Sequence, residues 1–495
     1  MGFIRRRLFA VFLSVAFFIL AYRQLTPPST SPTSVPPTPR SVTRPIKWED
    51  IPQWYPVSSI VPLPSGTPVL LPSIQHAFGV ETEYNKKRRL QRQATVKDAF
   101  IHSWSGYRKH AWLQDEVTPV SASFRNNLGN RGATLVDSLD TLLIMGLHEE
   151  FRQALRAVSN IDFSTSAEPM LNVFETNIRY LGGLLSAYDL SEKRHRVLLK
   201  KAVELGNMLY RAFDTPNRLP VTRWNWQRYA SGGEQQALTN AFSAEIGTLS
   251  LEFTRLSQLT GDSKYYDAVQ RISDLFADEQ NKTSVPGLFP ITLSPAEGDF
   301  SSYHSYSFGG CADSLYEYFL KEHILLGGLV EQYRHLYEHA MDAAKEHLFF
   351  RPLNPKNLDI LVSGSTRKTA LGRVKLDPEG QQLACFTGGM VAIGAKVFNN
   401  SDDLEVARKL VNGCIWASDA TPTGIMPERF HLVPCEDPND CVWDAKRWHE
   451  GVRLQSGENR LLDLPDIIEE DGLRPGFTKI ADKRYLLRYA VPSTH

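Results

Sequence analysis

The chain has 495 residues, 42% hydrophobic and 11% aromatic, with 55 basic and 55 acidic side chains. A formal net charge of zero excludes the electrostatic footprint of a nucleic-acid or anionic-lipid binder, and the hydrophobic share is enough for a large buried core. Arg5, Arg6 and Arg7 precede a 15-residue apolar run, Leu8 to Tyr22, closed by Arg23. The run is short for a spanning helix, but no small-x-small cleavage site follows it. Residues 1–23 read as a cytoplasmic tip and uncleaved type II signal anchor, with a cleaved signal peptide as the alternative. Positive charge before the run sends the remainder into the lumen. Residues 24–45 carry seven Pro and nine Ser or Thr with no acidic residue, the composition of an extended stem. Residues 46–83 stay Pro-rich but add Trp48, Trp54 and Tyr55, which suits a lead-in lying along a domain surface.

From residue 84 the apolar spacing is helical. Helices are predicted near 84–112, 134–146, 147–159, 171–190, 192–214, 239–260, 263–277, 312–326, 329–350, 386–398 and 402–418. Strand-like alternation is sparse, mainly around 358–363. Short polar joints between successive helices imply an all-α fold of stacked helical hairpins. The basic cluster Lys86-Lys87-Arg88-Arg89 reads as a solvated helix face.

The stretch 174–188 carries the first chemical signal. Phe174, Ile178, Leu181, Leu185 and Tyr188 trace one apolar helical face. Glu175, Arg179, Gly183 and Ser186 form the next stripe. A Glu-x-x-x-Arg pair is ordinarily a surface ion pair of about 0.3–0.5 kcal/mol. Gly182 and Gly183 each cost about 1 kcal/mol inside a helix, so a neighbour is expected to approach closely there.

Other acids recur on apolar stripes. Leu135, Leu139 and Leu142 bracket Asp140. Glu245 lies three residues after Phe242 and four before Leu249, on the buried side. Asp313 and Glu317 stand one turn apart after Gly309-Gly310. Glu428 sits in a Pro- and Gly-fixed loop. Buried charges are costly unless paired or metal-bound, so several inward carboxylates predict an acidic pocket suited to acid/base work. The five cysteines, Cys311, Cys385, Cys414, Cys435 and Cys441, include no Cys-x-x-Cys pair, which argues against zinc and for disulfides in a lumenal protein. Asn281 and Asn399 head glycosylation sequons.

In order along the chain, Gly132-Ala-Thr-Leu-Val-Asp-Ser-Leu-Asp-Thr-Leu, Phe174-Glu-Thr-Asn-Ile-Arg with Leu181-Gly-Gly-Leu-Leu-Ser-Ala-Tyr, Ala244-Glu-Ile-Gly-Thr-Leu-Ser-Leu-Glu-Phe, Ala312-Asp-Ser-Leu-Tyr-Glu-Tyr and Leu383-Ala-Cys-Phe-Thr-Gly-Gly resemble the class I α-1,2-mannosidases, glycoside hydrolase family 47. The resemblance implies an (α/α)7 barrel over residues 84–488 that removes α-1,2-linked mannose from high-mannose N-glycans with inversion, using Ca²⁺. The membrane-anchored Golgi and endoplasmic reticulum members supply the expected location.

By the same resemblance Glu175 matches the general acid, and Asp313 and Glu428 match two further catalytic carboxylates. Arg179, Asp140, Glu245 and Glu317 match substrate-pocket positions, and Cys385 with Cys414 matches the family disulfide. Cys435 and Cys441 are near enough to pair with each other. Cys311 stands where many members carry Arg. After Gly476 to Arg488 the family pattern continues with Pro-Glu and a Glu-Ser pair, where this chain has Tyr489-Ala-Val-Pro-Ser-Thr-His495. The resemblance therefore implies that the family's base Glu, its last closing helices and its calcium-binding Thr have no counterpart in these residues, so no metal ligand is assigned. A catalytically inactive glycan-binding or quality-control homologue is the alternative reading.

Overall fold

The computed structural model describes residues 45–457 and 463–486. The expected anchor at 1–23, residues 24–44 of the stem and the tail at 489–495 lie outside the described residues. Ile46–His495 forms one compact unit. The lead-in therefore counts with the helical body, upstream of the expected start at 84. The physical reason is burial: Trp48 is 1% exposed, and Trp54 and Tyr55 donate their backbone N–H groups to Asp214 at 2.8 and 2.9 Å.

The helices pack as antiparallel hairpins. Gly182–Leu190 packs on Arg196–Tyr210, Ser250–Thr260 on Lys264–Glu279, Asp313–Leu325 on Glu331–His347, and Phe386–Val397 on Ser401–Asp419. The first helix of each pair also touches the first helix of the next pair. The second helices of the three pairs from Arg196–Tyr210 to Glu331–His347 likewise touch one another in turn. Two concentric helical layers result, the architecture expected of an (α/α)7 barrel. Local signals set the ends: Asn400 Oδ1 accepts from the Asp402 and Asp403 N–H groups at 3.1 Å, and Gly261, at φ 75°, closes Ser250–Thr260.

Several expectations need correction, and the predicted helix at 134–146 is itself the pair Ala133–Asp137 and Leu139–Ile144. The predicted helix at 239–260 is two helices, Ser243–Gly247 and Ser250–Thr260. A Cβ on Gly247 would lie 2.1 Å from Leu315 Cδ1, so the chain runs tight against the neighbouring helix where it breaks. The helix through Glu175 is not uniformly α, because Thr176–Leu181 is wound as a π-helix. Of the expected stripe Leu181, Leu185 and Tyr188 are buried, joined by Val173, Tyr180, Leu184 and Ala187, while Phe174 and Ile178 are half-buried. Strands are also more numerous than expected. The run at 358–363 yields only Val362–Ser363, while short antiparallel pairs stand before several inner helices. Helices Ala445–Ser456 and Leu464–Asp471 were not predicted.

Candidate active site

Glu175, Glu245 and Asp313 are each delivered by a short strand and its flank to the start of a different helix. Strand Met170–Asn172 pairs with Arg223–Asn225, with Asn172 opposite Arg223. Asn172 then caps the helix that follows, its Oδ1 accepting from the Glu175 N–H at 3.1 Å. Strand Ala241–Phe242, paired with Thr292–Leu293, leads into the helix of Glu245. Strand Ser305–Ser307 and the glycine pair lead to Asp313, the first residue of its helix.

Backbone links join these starts. Cys311 C=O accepts from the Ala244 N–H at 3.0 Å, tying the Asp313 loop to the Glu245 helix. Gln381 Oε1 accepts from the Gly310 N–H at 3.0 Å, and Gln381 is the strand partner of Arg429, the residue after Glu428. The Glu428 carbonyl accepts from the Gln382 N–H at 3.0 Å, and Glu428 is 7% exposed. Acids scattered from Glu175 to Glu428 in sequence thus share one end of the barrel.

The Glu175 stripe faces the helix pair Ala133–Asp137 and Leu139–Ile144. Arg179 Nε donates to Glu175 Oε2 at 2.7 Å, and its Nη1 lies 3.4 Å from Asp137 Oδ2. Ser186 Oγ donates to Asp140 Oδ2 at 2.8 Å. Between them a Cβ on Gly183 would lie 2.7 Å from the Val136 carbonyl oxygen, the close approach expected of that glycine, whereas Gly182 has only ordinary contacts. On the next wall Arg223 Nη2 bonds Glu245 Oε1 at 2.6 Å, with Glu245 8% exposed. A cavity of about 430 Å³ opens beside Arg223, walled by Trp224, Arg228, Tyr229 and Glu234. Glu317 is held by Lys321 one turn on, at 2.6 Å.

Electrostatics follow from burial and a shortage of cations. Burial raises the Asp137 carboxyl above the usual carboxylate range, with Arg179 pulling the other way. Burial lowers Arg179, but Glu175 and Asp137 more than offset this and hold it firmly charged. Cys311 is exposed and unpaired, and adopts φ 75°. Partial burial raises its thiol, and the nearby Asp313 and Glu245 carboxylates add to the shift.

Sequence reasoning missed Asp137, Arg223 and Glu252. Asp137 lay inside the quoted motif, three residues before Asp140. Glu252, seven residues after Glu245, is enclosed by Asn177 at 2.7 Å and Tyr318 at 2.8 Å, and burial raises its carboxyl. Nothing local marked Arg223, whose place depends on the strand pair. Both expected disulfides are present, Cys385–Cys414 with Cα atoms 5.9 Å apart and Cys435–Cys441 with 5.6 Å. Asn281 and Asn399 are exposed. Among the described residues no group of three or more His, Cys, Asp or Glu could hold a metal ion.

Residues 99–490 match the sequence pattern described as Glycosyl hydrolase family 47. The chain is 36% identical over 392 residues to a probable mannosyl-oligosaccharide alpha-1,2-mannosidase 1B of Aspergillus fumigatus, spanning 76% of each protein. It is 36% identical over 423 residues to mannosyl-oligosaccharide 1,2-alpha-mannosidase IB of Homo sapiens, spanning 82% of this chain and 60% of that protein. The solved alpha-1,2-mannosidase from Trichoderma reesei superposes with TM-score 0.65 at 27% identity, covering 80% of this chain and 89% of that one.

Proposed function

The chain belongs to glycosyl hydrolase family 47, and from that premise we propose that it hydrolyses terminal α-1,2-linked mannose from high-mannose N-glycans. The observation that carries the reading is the Glu175–Arg179–Asp137 group at the mouth of the inner helices, one wall away from the Arg223–Glu245 pair. Glu175 is the acid that protonates the leaving glycosidic oxygen. Arg179 holds the carboxylate in one orientation through Nε, so the proton is presented at a defined position. Asp313 and Glu428 are the further carboxylates of the reaction, and Asp140 and Glu245 accept hydrogen bonds from sugar hydroxyls. Glu317 belongs to the substrate wall through its place one turn after Asp313.

Inversion requires an acid and a base on opposite faces of the sugar ring with a water between them. Calcium, an oxygen-seeking ion, orients sugar hydroxyls when bound. It stays in this reading on family grounds alone, and no step here is routed through it. The proposed location is the lumen of the Golgi or endoplasmic reticulum, with residues 1–23 as membrane anchor. The apolar run behind three arginines and two exposed sequon asparagines support it.

The deciding experiment is incubation of the full chain with a reducing-end-labelled high-mannose N-glycan. Stepwise loss of hexose, released as the β-anomer at first appearance, is the expected result. Retained glycan binding without any mannose release overturns the hydrolase reading in favour of a binding protein.

A further inference from the structure

Ile46–Tyr55 lies upstream of the residues matched to the family, yet it is fastened to the barrel at buried positions. The Trp48 indole donates from Nε1 to the Ser164 carbonyl at 2.8 Å, and the Trp48 carbonyl accepts from Arg211 Nε at 2.9 Å. Its ring centroid stands 5.4 Å from Trp224 and 6.4 Å from both Trp226 and Tyr229. Trp224 is the middle residue of the strand Arg223–Asn225, and successive strand side chains point to opposite faces. The residue packed on Trp48 is therefore the covalent neighbour of Arg223, whose guanidinium binds Glu245 on the other face. Asn172, the strand partner of Arg223, caps the Glu175 helix.

The geometry points to Trp48 as a positioning residue for the reaction. Through Trp224 it fixes the strand that sets both the Arg223–Glu245 pair and, via Asn172, the entry of the Glu175 helix. This rests on the hydrolase reading above. A shift of about 1 Å in a positioned catalytic group costs on the order of 10²-fold in rate, so a small relaxation of this strand is enough to register. The same lead-in carries its own control. Farther along, Val61 donates its N–H to Asp267 Oδ1 at 2.8 Å on an outer-layer helix, away from the acid-bearing strands.

The test uses the full chain with Trp48→Ala, Trp48→Phe and Val61→Pro, each assayed for mannose release well below its melting temperature. Trp48→Ala is expected to lower kcat by about 10- to 100-fold with less change in KM, and Trp48→Phe to restore part of it. Val61→Pro is expected to lower Tm while leaving kcat/KM within about twofold. Hydrogen exchange of residues 170–175 and 223–225 should quicken by about tenfold or more in the Trp48 variants and not in Val61→Pro.

Unchanged kcat in Trp48→Ala, or equal rate losses in Trp48→Ala and Val61→Pro, overturns the proposal. Should Trp48→Ala not fold, unchanged exchange at 223–225 in Trp48→Phe overturns it. If the unmodified chain releases no mannose, the hydrolase reading fails separately, and the exchange comparison still decides whether Trp48 sets this strand.

Discussion

Arg179 stands between two carboxylates, and one cation cannot fully compensate both. Glu175 takes the short Nε bond, while Asp137 is left at 3.4 Å with burial raising its carboxyl. The arrangement gives Glu175 a fixed orientation, which an acid catalyst requires. Glu175→Gln keeps the shape but removes the proton, so kcat for mannose release should fall by about 10²–10⁴-fold with glycan binding retained, as measured by turnover and calorimetry. A second residue carries a pH signature away from the site. Glu322 is fully buried with no hydrogen bond of normal length to either oxygen, and burial pushes its carboxyl up to about 8. Its folded-state value lies above the unfolded one, so the stabilising protonated form is fully present below the ordinary carboxylate range. That contribution is lost as pH rises through about 8. Glu322→Gln should flatten the fall in Tm between pH 5 and pH 9, and an unchanged profile would contradict the assignment.

The inner helices meet where side chains are absent, and this is where the hairpins lock. Gly183 lets the Glu175 helix touch the Val136 carbonyl directly. Gly183→Val inserts atoms against a backbone oxygen that cannot yield cheaply, so thermal or denaturant unfolding should show a loss of about 1–3 kcal/mol. The Cys385–Cys414 bridge ties the start of Phe386–Val397 to the middle of Ser401–Asp419 across 29 residues. Its removal in Cys414→Ser should cost about 2–4 kcal/mol by the same measurements. Helix positions were legible because apolar spacing repeats locally, as from His148 to Val158 and from Lys264 to Glu279. The two- and three-residue strands were not. A pair such as Ala241–Phe242 with Thr292–Leu293 is too short to show alternation and exists only because the helices bring its halves together. The π-turn at Thr176–Leu181 left no trace in residue spacing for the same reason.

Over the whole molecule, fold class was readable from the repeated apolar stripes, and the acids singled out stood beside such a stripe, a glycine pair or, for Glu428, in a Pro- and Gly-fixed loop. Arg223 and Glu252 were not, since their roles depend on partners 22 and 75 residues away, Glu245 and Asn177. The strand-fed ring of acids also bears on synthesis. With Glu175, Glu245, Asp313 and Glu428 supplied by separate stretches of chain, the full pocket exists only once the last of them is in place. At about 5–20 residues per second, roughly 250 residues separate Glu175 from Glu428, so some tens of seconds pass between their arrivals. Over that interval the acid and its arginine are already made while the opposite wall is still being translated. Until then the chain holds one half of a pocket whose other half has not yet been made.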